Sequence, residues 1–347
     1  MGERDTRIKF SVGRKGRAPN DVGFPQGLAF DQRRGLLYVA DYVKHRVQVF
    51  SSEDGSLVAQ FGARGSQPGQ FNQPCAVAID HEQDRIFVSD CSNHRVQVWS
   101  LSDQSFVACI GKRGSSEGEL ARPAATAIDQ CRHRIVVADT NNHRVQVLSS
   151  IDGSFVFSAD AHFEEEPVEF SGPQGVAIDH YRERIIVTDT TNHRVVVLSL
   201  IDGSFLFEFS CQGGKLGKLR HPHGVCVDNY GRIIVADTNN RRLQAFTPHG
   251  RFISSFNCNY PQRPFGVAFD ERRGLIAFTA GNQVHVIGAN QWLPDTEFTW
   301  RPDRQHLAPE PIKQAVLTMT MIRSLVDESS AMSMIPNELL FEIFSFL

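Results

Sequence analysis

The chain has 347 residues, 41% hydrophobic and 22% charged, which supplies a large core and excludes disordered, collagen-like or disulfide-stapled classes. Its 36 Lys and Arg against 39 Asp and Glu leave a net charge of −3, so no bulk field favours nucleic acid or an anionic membrane, and a basic site must be local. The seven cysteines are scattered and never form a C-x-x-C pair, which speaks against a zinc finger and for a reducing compartment.

The start, MGERDTRIKF, lacks the apolar stretch of a signal peptide, and no run approaches the roughly 18 apolar residues of a membrane span. A cytoplasmic protein without membrane partners is expected. Gly2 with Thr6 meets the loose N-myristoylation pattern, read as a chance match because residues 7–12 look like part of the folded domain.

From residue 25 onward one segment recurs: DYVKHRVQVF from Asp41, DCSNHRVQVW from Asp90, DTNNHRVQVL from Asp139, DTTNHRVVVL from Asp189 and DTNNRRLQAF from Asp237. The steps are 49, 49, 50 and 48 residues. Some sixteen residues before each aspartate a proline opens a short apolar run, at Pro25, Pro74, Pro123, Pro173 and Pro222, and a sixth stands at Pro264. Within a unit, GLAFD, GLLYVAD, HRVQVFS and SLVAQFG read as strands divided by Asp, Asn and Gly turns. Four-stranded antiparallel units of this length stack radially, so the fold class is all-β, a six-bladed β-propeller with a short α-helical C-terminal tail.

The sixth unit has Ala280 in place of the aspartate and lacks its outer strand. RIKFSVGRKG, residues 7–16, matches VAQFGARG of the first unit, so the N-terminal strand is expected to complete the last blade and close the ring. The expected domains are a propeller over 1–290, a proline-rich linker over 291–311 and a helical tail over 312–347.

The motif D-x-x-N-H-R-[VL]-Q-V after a V-A-D strand, with P-x-G heading the units, resembles the NHL repeat over residues 7–290; Ala280 and Arg241 depart from it. The resemblance implies an interaction module of the kind found in TRIM-type ubiquitin ligases, several of which bind RNA. The RING, B-box and coiled coil of those ligases have no counterpart here, so their ligase activity is not carried over.

The repeated Asp41, Asp90, Asp139, Asp189 and Asp237, with Arg46, Arg95, Arg144, Arg194 and Arg242, are read as structural: the carboxylate bonds the turn backbone two or three residues on, and the arginine pairs with it between blades. An enzymatic propeller would place metal ligands at the channel. The residues after the prolines are Gln26, Cys75, Ala124, Gln174, His223 and Phe265, one histidine and no carboxylate, short of the three protein ligands of a catalytic zinc site. No G-x-S-x-G, H-E-x-x-H or P-loop pattern occurs. A metal-dependent lyase or lactonase is therefore disfavoured, and no enzyme activity, cofactor or metal is expected.

The Asp-x-x-Asn turns and the loops leading into the prolines share one face, here the top. It gathers the basic Arg14, Lys15, Arg17, Arg64, Lys215, Lys218, Arg220 and Arg263, with Tyr42 and Tyr260 as its aromatics, while the loop into the fourth blade carries Asp160, Glu164, Glu165, Glu166 and Glu169. This bipolar face is the candidate binding site, for a protein or peptide ligand or for single-stranded or stem-loop RNA.

After Gln291 prolines gather with Trp292 and Trp300, followed by an amphipathic pattern from Ile312 to Val326. A second apolar face follows in IPNELLFEIFSFL, with Ile335, Pro336, Leu339, Leu340, Ile343 and Phe344. This segment is similar to the opening of an F-box, and also resembles a degenerate SOCS box. Either would dock a cullin-ligase adaptor and make the protein a substrate receptor in protein ubiquitination. The alternatives left open are a tail helix packed on the propeller and a truncated gene model.

Overall fold

The computed structural model describes residues 8–13, 21–159, 169–258 and 262–293. They form six four-stranded antiparallel sheets arranged as the blades of a propeller. Blade 1 runs through Pro25–Asp31, Leu36–Asp41, Arg46–Ser51 and Leu57–Phe61. Blades 2 to 5 repeat it from Pro74, Pro123, Pro173 and Pro222.

In each blade the second and third strands are almost wholly buried, because β-branched and aromatic residues face a neighbouring blade on both sides of the sheet. The core accordingly divides into six clusters, one per seam. Tyr38, Val47 and Phe61 of blade 1 meet Val77, Ile86 and Trp99 of blade 2, and Val136 and Val145 of blade 3 meet Val187 and Leu198 of blade 4. An apolar residue three before the proline plugs five of the seams: Val22, Phe71, Leu120, Phe170 and Leu219, none more than 6% exposed.

The ring closes as expected from the sequence. Blade 6 contains Pro264–Asp270, Leu275–Ala280 and Gln283–Gly288, and its outer strand is Ile8–Val12, antiparallel to Gln283–Gly288 with Ser11 opposite His285 and Val12 opposite Val284. Val12 packs with Val22, Leu28 and Leu37 of the first blade, so the N-terminal strand joins the last seam to the first.

Trp292 and Leu293, placed by sequence at the start of the linker, are buried between blades 5 and 6, where Trp292 lies 6.0 Å from the Phe256 ring. A short helical turn, Ala289–Trp292, brings them there. The remaining linker and the tail, with Ile335, Pro336, Leu339, Leu340, Ile343 and Phe344, lie outside the described residues, as do Arg14, Lys15, Arg17, Tyr260 and residues 160–168. No described helix is long and apolar enough to cross a membrane.

Inner strands approach closely around the channel, and glycine permits it. A Cβ on Gly266 would stand 2.0 Å from the Gln26 carbonyl oxygen, and one on Gly175 2.2 Å from that of His223. Buried Thr188 donates to the His223 carbonyl in the next blade, and Thr279 donates to that of Gln26 at 2.9 Å across the closure.

Candidate functional site

In blades 2 to 5 the repeated polar residues form one bonded cluster per blade. In blade 3, Asp139 has no exposed surface and accepts from the Ala121 N–H (2.6 Å), Asn142 Nδ2 (2.8 Å), Arg144 Nε (2.9 Å) and Gln146 Nε2 (3.1 Å). The ion pair is thus made inside the blade, between a strand end and the next strand, and not between blades as the sequence suggested. The spacing explains this: the two residues are paired across one hairpin, Asp139 opposite Arg144. Nor does the carboxylate mainly serve the turn that follows it; except at Asp41, which also takes the Lys44 N–H (3.2 Å), its backbone bond goes to the loop before the blade.

The outer ends of the same side chains hold that loop. Arg144 Nη2 donates to the Ser116 and Glu119 carbonyls (2.8 and 2.9 Å), Gln146 Nε2 to Glu119 (2.6 Å) and Asn142 Nδ2 to Gly114 (2.8 Å). Blade 2 repeats these bonds from Arg95, Gln97 and Asn93 to Gln67, Gln70 and Gly65, and blade 5 from Arg242, Gln244 and Asn240 to Lys215, Lys218 and Gly213. Three top loops therefore share one backbone with different tips: Gln67, Pro68 and Gln70; Ser116, Glu117 and Glu119; Lys215, Leu216 and Lys218. The sequence signal is a glutamine seven residues after the aspartate, replaced in blade 4 by Val196.

Adjacent blades are clasped by histidines. The Nδ1 atoms of His45, His94, His143 and His193 accept the backbone N–H of Gln73, Arg122, Gly172 and His221, each the residue before the next proline, at 3.0 to 3.2 Å. Each clasping histidine adopts a left-handed backbone, φ +54 to +59. Burial holds His45, His94 and His193 below the ordinary imidazole range. Arg241 occupies the fifth position, where Arg263 Nη1 instead donates to Asn239 Oδ1 at 3.2 Å.

The six residues after the prolines do line the channel, which holds about 90 Å³. His223 donates from Nδ1 to the His221 carbonyl (3.0 Å), and burial pulls its pKa down to about 4, so the ring is neutral with Nε2 left as an acceptor. Among the described residues no group of three or more His, Cys, Asp or Glu is placed to hold a metal ion.

Of the basic residues expected on the top face, Lys215, Lys218, Arg220 and Arg263 come together over blade 5, all exposed. Arg64 is exposed on the loop between blades 1 and 2, in the two-residue ladder Ala63–Arg64, with its charge acting on His45. Tyr42 stands apart from both: it is half-buried and packs edge-on against Phe24, which packs against Phe265 at 5.0 Å. Glu169 is exposed beside blade 4 and its carbonyl accepts from Arg194 at 2.9 Å.

This architecture defines a six-bladed β-propeller, and comparison with known families places NHL repeats at residues 120–148, 170–198 and 219–246, the cores of blades 3, 4 and 5. A family described as a 6-bladed beta-propeller matches residues 30–114. Among curated proteins the chain is similar to Protein lin-41 of Caenorhabditis elegans, 50% identical over 46 residues, and to the E3 ubiquitin-protein ligase TRIM71 of Xenopus tropicalis, 54% identical over 44 residues. These segments are 13% of this chain and only 4% and 5% of those proteins. Among solved structures, a gluconolactonase from Xanthomonas campestris superimposes with a TM-score of 0.61 at 16% identity, covering 77% of this chain and 86% of that one. A chain of a nidogen/laminin complex gives 0.58 at 17%, covering 71% and 86%. At such identities the likeness shows the fold alone.

Proposed function

We propose that this protein is a non-enzymatic interaction module whose top face receives a protein or peptide, and that its C-terminal segment links the captured protein to ubiquitin ligase machinery. One observation carries the reading: three top loops share a backbone pinned by the same Arg, Gln and Asn bonds, yet present neutral, acidic and basic tips. A rigid frame with interchangeable tips suits recognition, because the frame bears the ordering cost while the tips set specificity. The similarity to E3 ubiquitin-protein ligase TRIM71 is in keeping with the ligase link. Seven free cysteines are in keeping with a cytoplasmic location.

The test is photo-crosslinking in cells from the tip positions Gln67, Glu117 and Leu216, with Ile151 on the opposite face as control, recovering both protein and RNA. Proteins joined from the tips and not from Ile151 support the reading. Recovery of RNA from the tips would replace it with post-transcriptional RNA binding, since cationic tips also suit phosphates. For the tail, Leu339→Asp with Leu340→Asp should abolish capture of a Skp or Elongin adaptor while propeller melting stays unchanged.

A further inference from the structure

We infer that the top of blade 5 is a docking surface for an acidic peptide segment bearing one apolar side chain. The inference rests on the interaction-module reading and names the chemistry of its partner. Four cations are contiguous there. The Lys215 and Lys218 carbonyls both accept from Arg242 Nη2, at 2.8 and 2.9 Å, so their backbones are fixed while their side chains are exposed. The Arg220 carbonyl accepts the Asn239 N–H at 3.0 Å, and Asn239 Oδ1 accepts from Arg263, which sets these two arginines on either side of one asparagine.

None of the four has an ion-pair partner among the described residues; the blade's own top carboxylate, Asp237, is fully buried and taken by Arg242. The matching loop in blade 3 behaves differently: Glu119 stands there where blade 5 has Lys218, and it pairs with Lys112 at 3.4 Å. Blade 5 thus concentrates uncompensated positive charge on a chain that is net negative. Leu216 adds the second feature: it lies between the two lysines and is 59% exposed, an apolar tip that gains from being covered.

A nucleic acid fits this surface less well. Single strands are held by stacking faces as well as by cations, and among the described residues Tyr42, Phe24, Phe265 and His223 pack against one another where the channel opens. The His193 and His221 rings nearby meet edge to face at 4.4 Å. Glu117 and Glu119 stand at the equivalent tip of blade 3, where a long polyanion crossing the mouth would meet repulsion. A short peptide satisfies the surface instead: carboxylates to Lys215, Lys218, Arg220 and Arg263, and one Leu, Ile or Phe on Leu216.

The test uses the full chain and a displayed library of random 12-residue peptides. Enriched sequences should carry more Asp and Glu than Lys and Arg, with an apolar residue among them. A synthetic enriched peptide should bind the Lys215→Glu, Lys218→Glu variant about tenfold more weakly, chiefly through slower association, and its charge-reversed form should regain binding to that variant. Leu216→Ser should raise the dissociation rate about fivefold. Enrichment without acidic bias, or equal binding by the charge-reversed variant, overturns this inference and leaves the interaction module standing. No enrichment overturns the inference; joined with salt-dependent retention of a 20-nucleotide oligouridine, it overturns the module reading as well.

Discussion

The Nδ1 atom of His45 accepts the Gln73 backbone N–H at 3.0 Å, so the imidazole that ends a turn in blade 1 fixes the residue that opens blade 2. An acceptor nitrogen must be unprotonated, and the same bond recurs from His94, His143 and His193. His285, in the closing blade, contacts Ser11 Oγ through Nδ1 (2.7 Å) and the Gln262 side chain through Nε2 (3.0 Å).

The clasps of His45, His94 and His193, with buried His285 and His223, should make the fold acid-sensitive. Burial lowers the pKa of His45, His94, His193 and His285, and takes His223 to about 4. A group whose folded pKa lies below its unfolded value of about 6.5 binds more protons unfolded, so stability is full above that pH and declines as pH falls toward the folded pKa. Melting should be flat from pH 8 to 7 and drop by roughly 5 °C or more between pH 7 and 5. His94→Asn, which keeps a side chain tolerant of the left-handed backbone, should lower the plateau and reduce the pH slope. A slope unchanged in variants of all three lowered clasping histidines would refute the mechanism.

The blade count, the four-strand unit and the closing strand were legible because hydrophobic alternation, turn residues and the proline spacing agree on one period. Neutral Ala280 did not obscure the sixth blade, since Pro264 and its apolar run remained. The loop clasp was half legible. Asp139 and Arg144 announce themselves by repetition, but the carboxylate takes the Ala121 backbone N–H and the guanidinium donates to the Ser116 and Glu119 carbonyls, groups that almost any residue can offer. The histidine clasp is likewise hidden, because its partner is a backbone N–H 28 or 29 residues downstream. Charge was readable by loop but not by position: sequence grouped Arg64 and Tyr42 with the lysines of blade 5, and the ring separates them.

The glycines around the channel differ in what they must avoid. Gly266→Ala would drive a Cβ to 2.0 Å from the Gln26 carbonyl oxygen, a backbone atom of the neighbouring blade that cannot swing away. We expect loss of about 2 kcal/mol or more by urea unfolding, the range of overpacking in a well-filled core. Gly118→Ala meets nothing within 4 Å and pays only for its φ of +73, about 1 kcal/mol. A loss at Gly266 no larger than at Gly118 would show that the neighbouring blade yields to the added Cβ.

Asp139 tests the clasp itself. Asp139→Ala strands the largely buried Arg144 guanidinium and frees Ala121, Asn142 and Gln146 together, a change expected to cost about 3–5 kcal/mol. Gln146→Ala removes one layer, its bonds to Glu119, Gly118 and Asp139, and should cost about 1–2 kcal/mol. Hydrogen exchange should quicken at residues 111–120 in both variants. Protection of that loop at wild-type levels in Asp139→Ala would mean that the side chains follow the loop and do not hold it.

Deleting residues 1–13 removes the strand that finishes blade 6. Its antiparallel partner Gln283–Gly288 would then present unpaired backbone, and the fully buried Val284 and Val286 would lose Val12 and Phe10 as cover. An open apolar edge pairs with other chains, so the truncated protein should form oligomers in size-exclusion chromatography with light scattering and melt at a lower temperature. Ser11→Ala provides the contrast, since it gives up only the hydroxyl contact with His285 and keeps the ladder; a loss near 1 kcal/mol and a monomer are expected. The two variants separate closure by the backbone ladder from closure by one side chain. A truncated propeller that stays monomeric and melts as the full chain does would show that the seam packing of blades 6 and 1, with Thr279 on the Gln26 carbonyl, closes the ring without the strand.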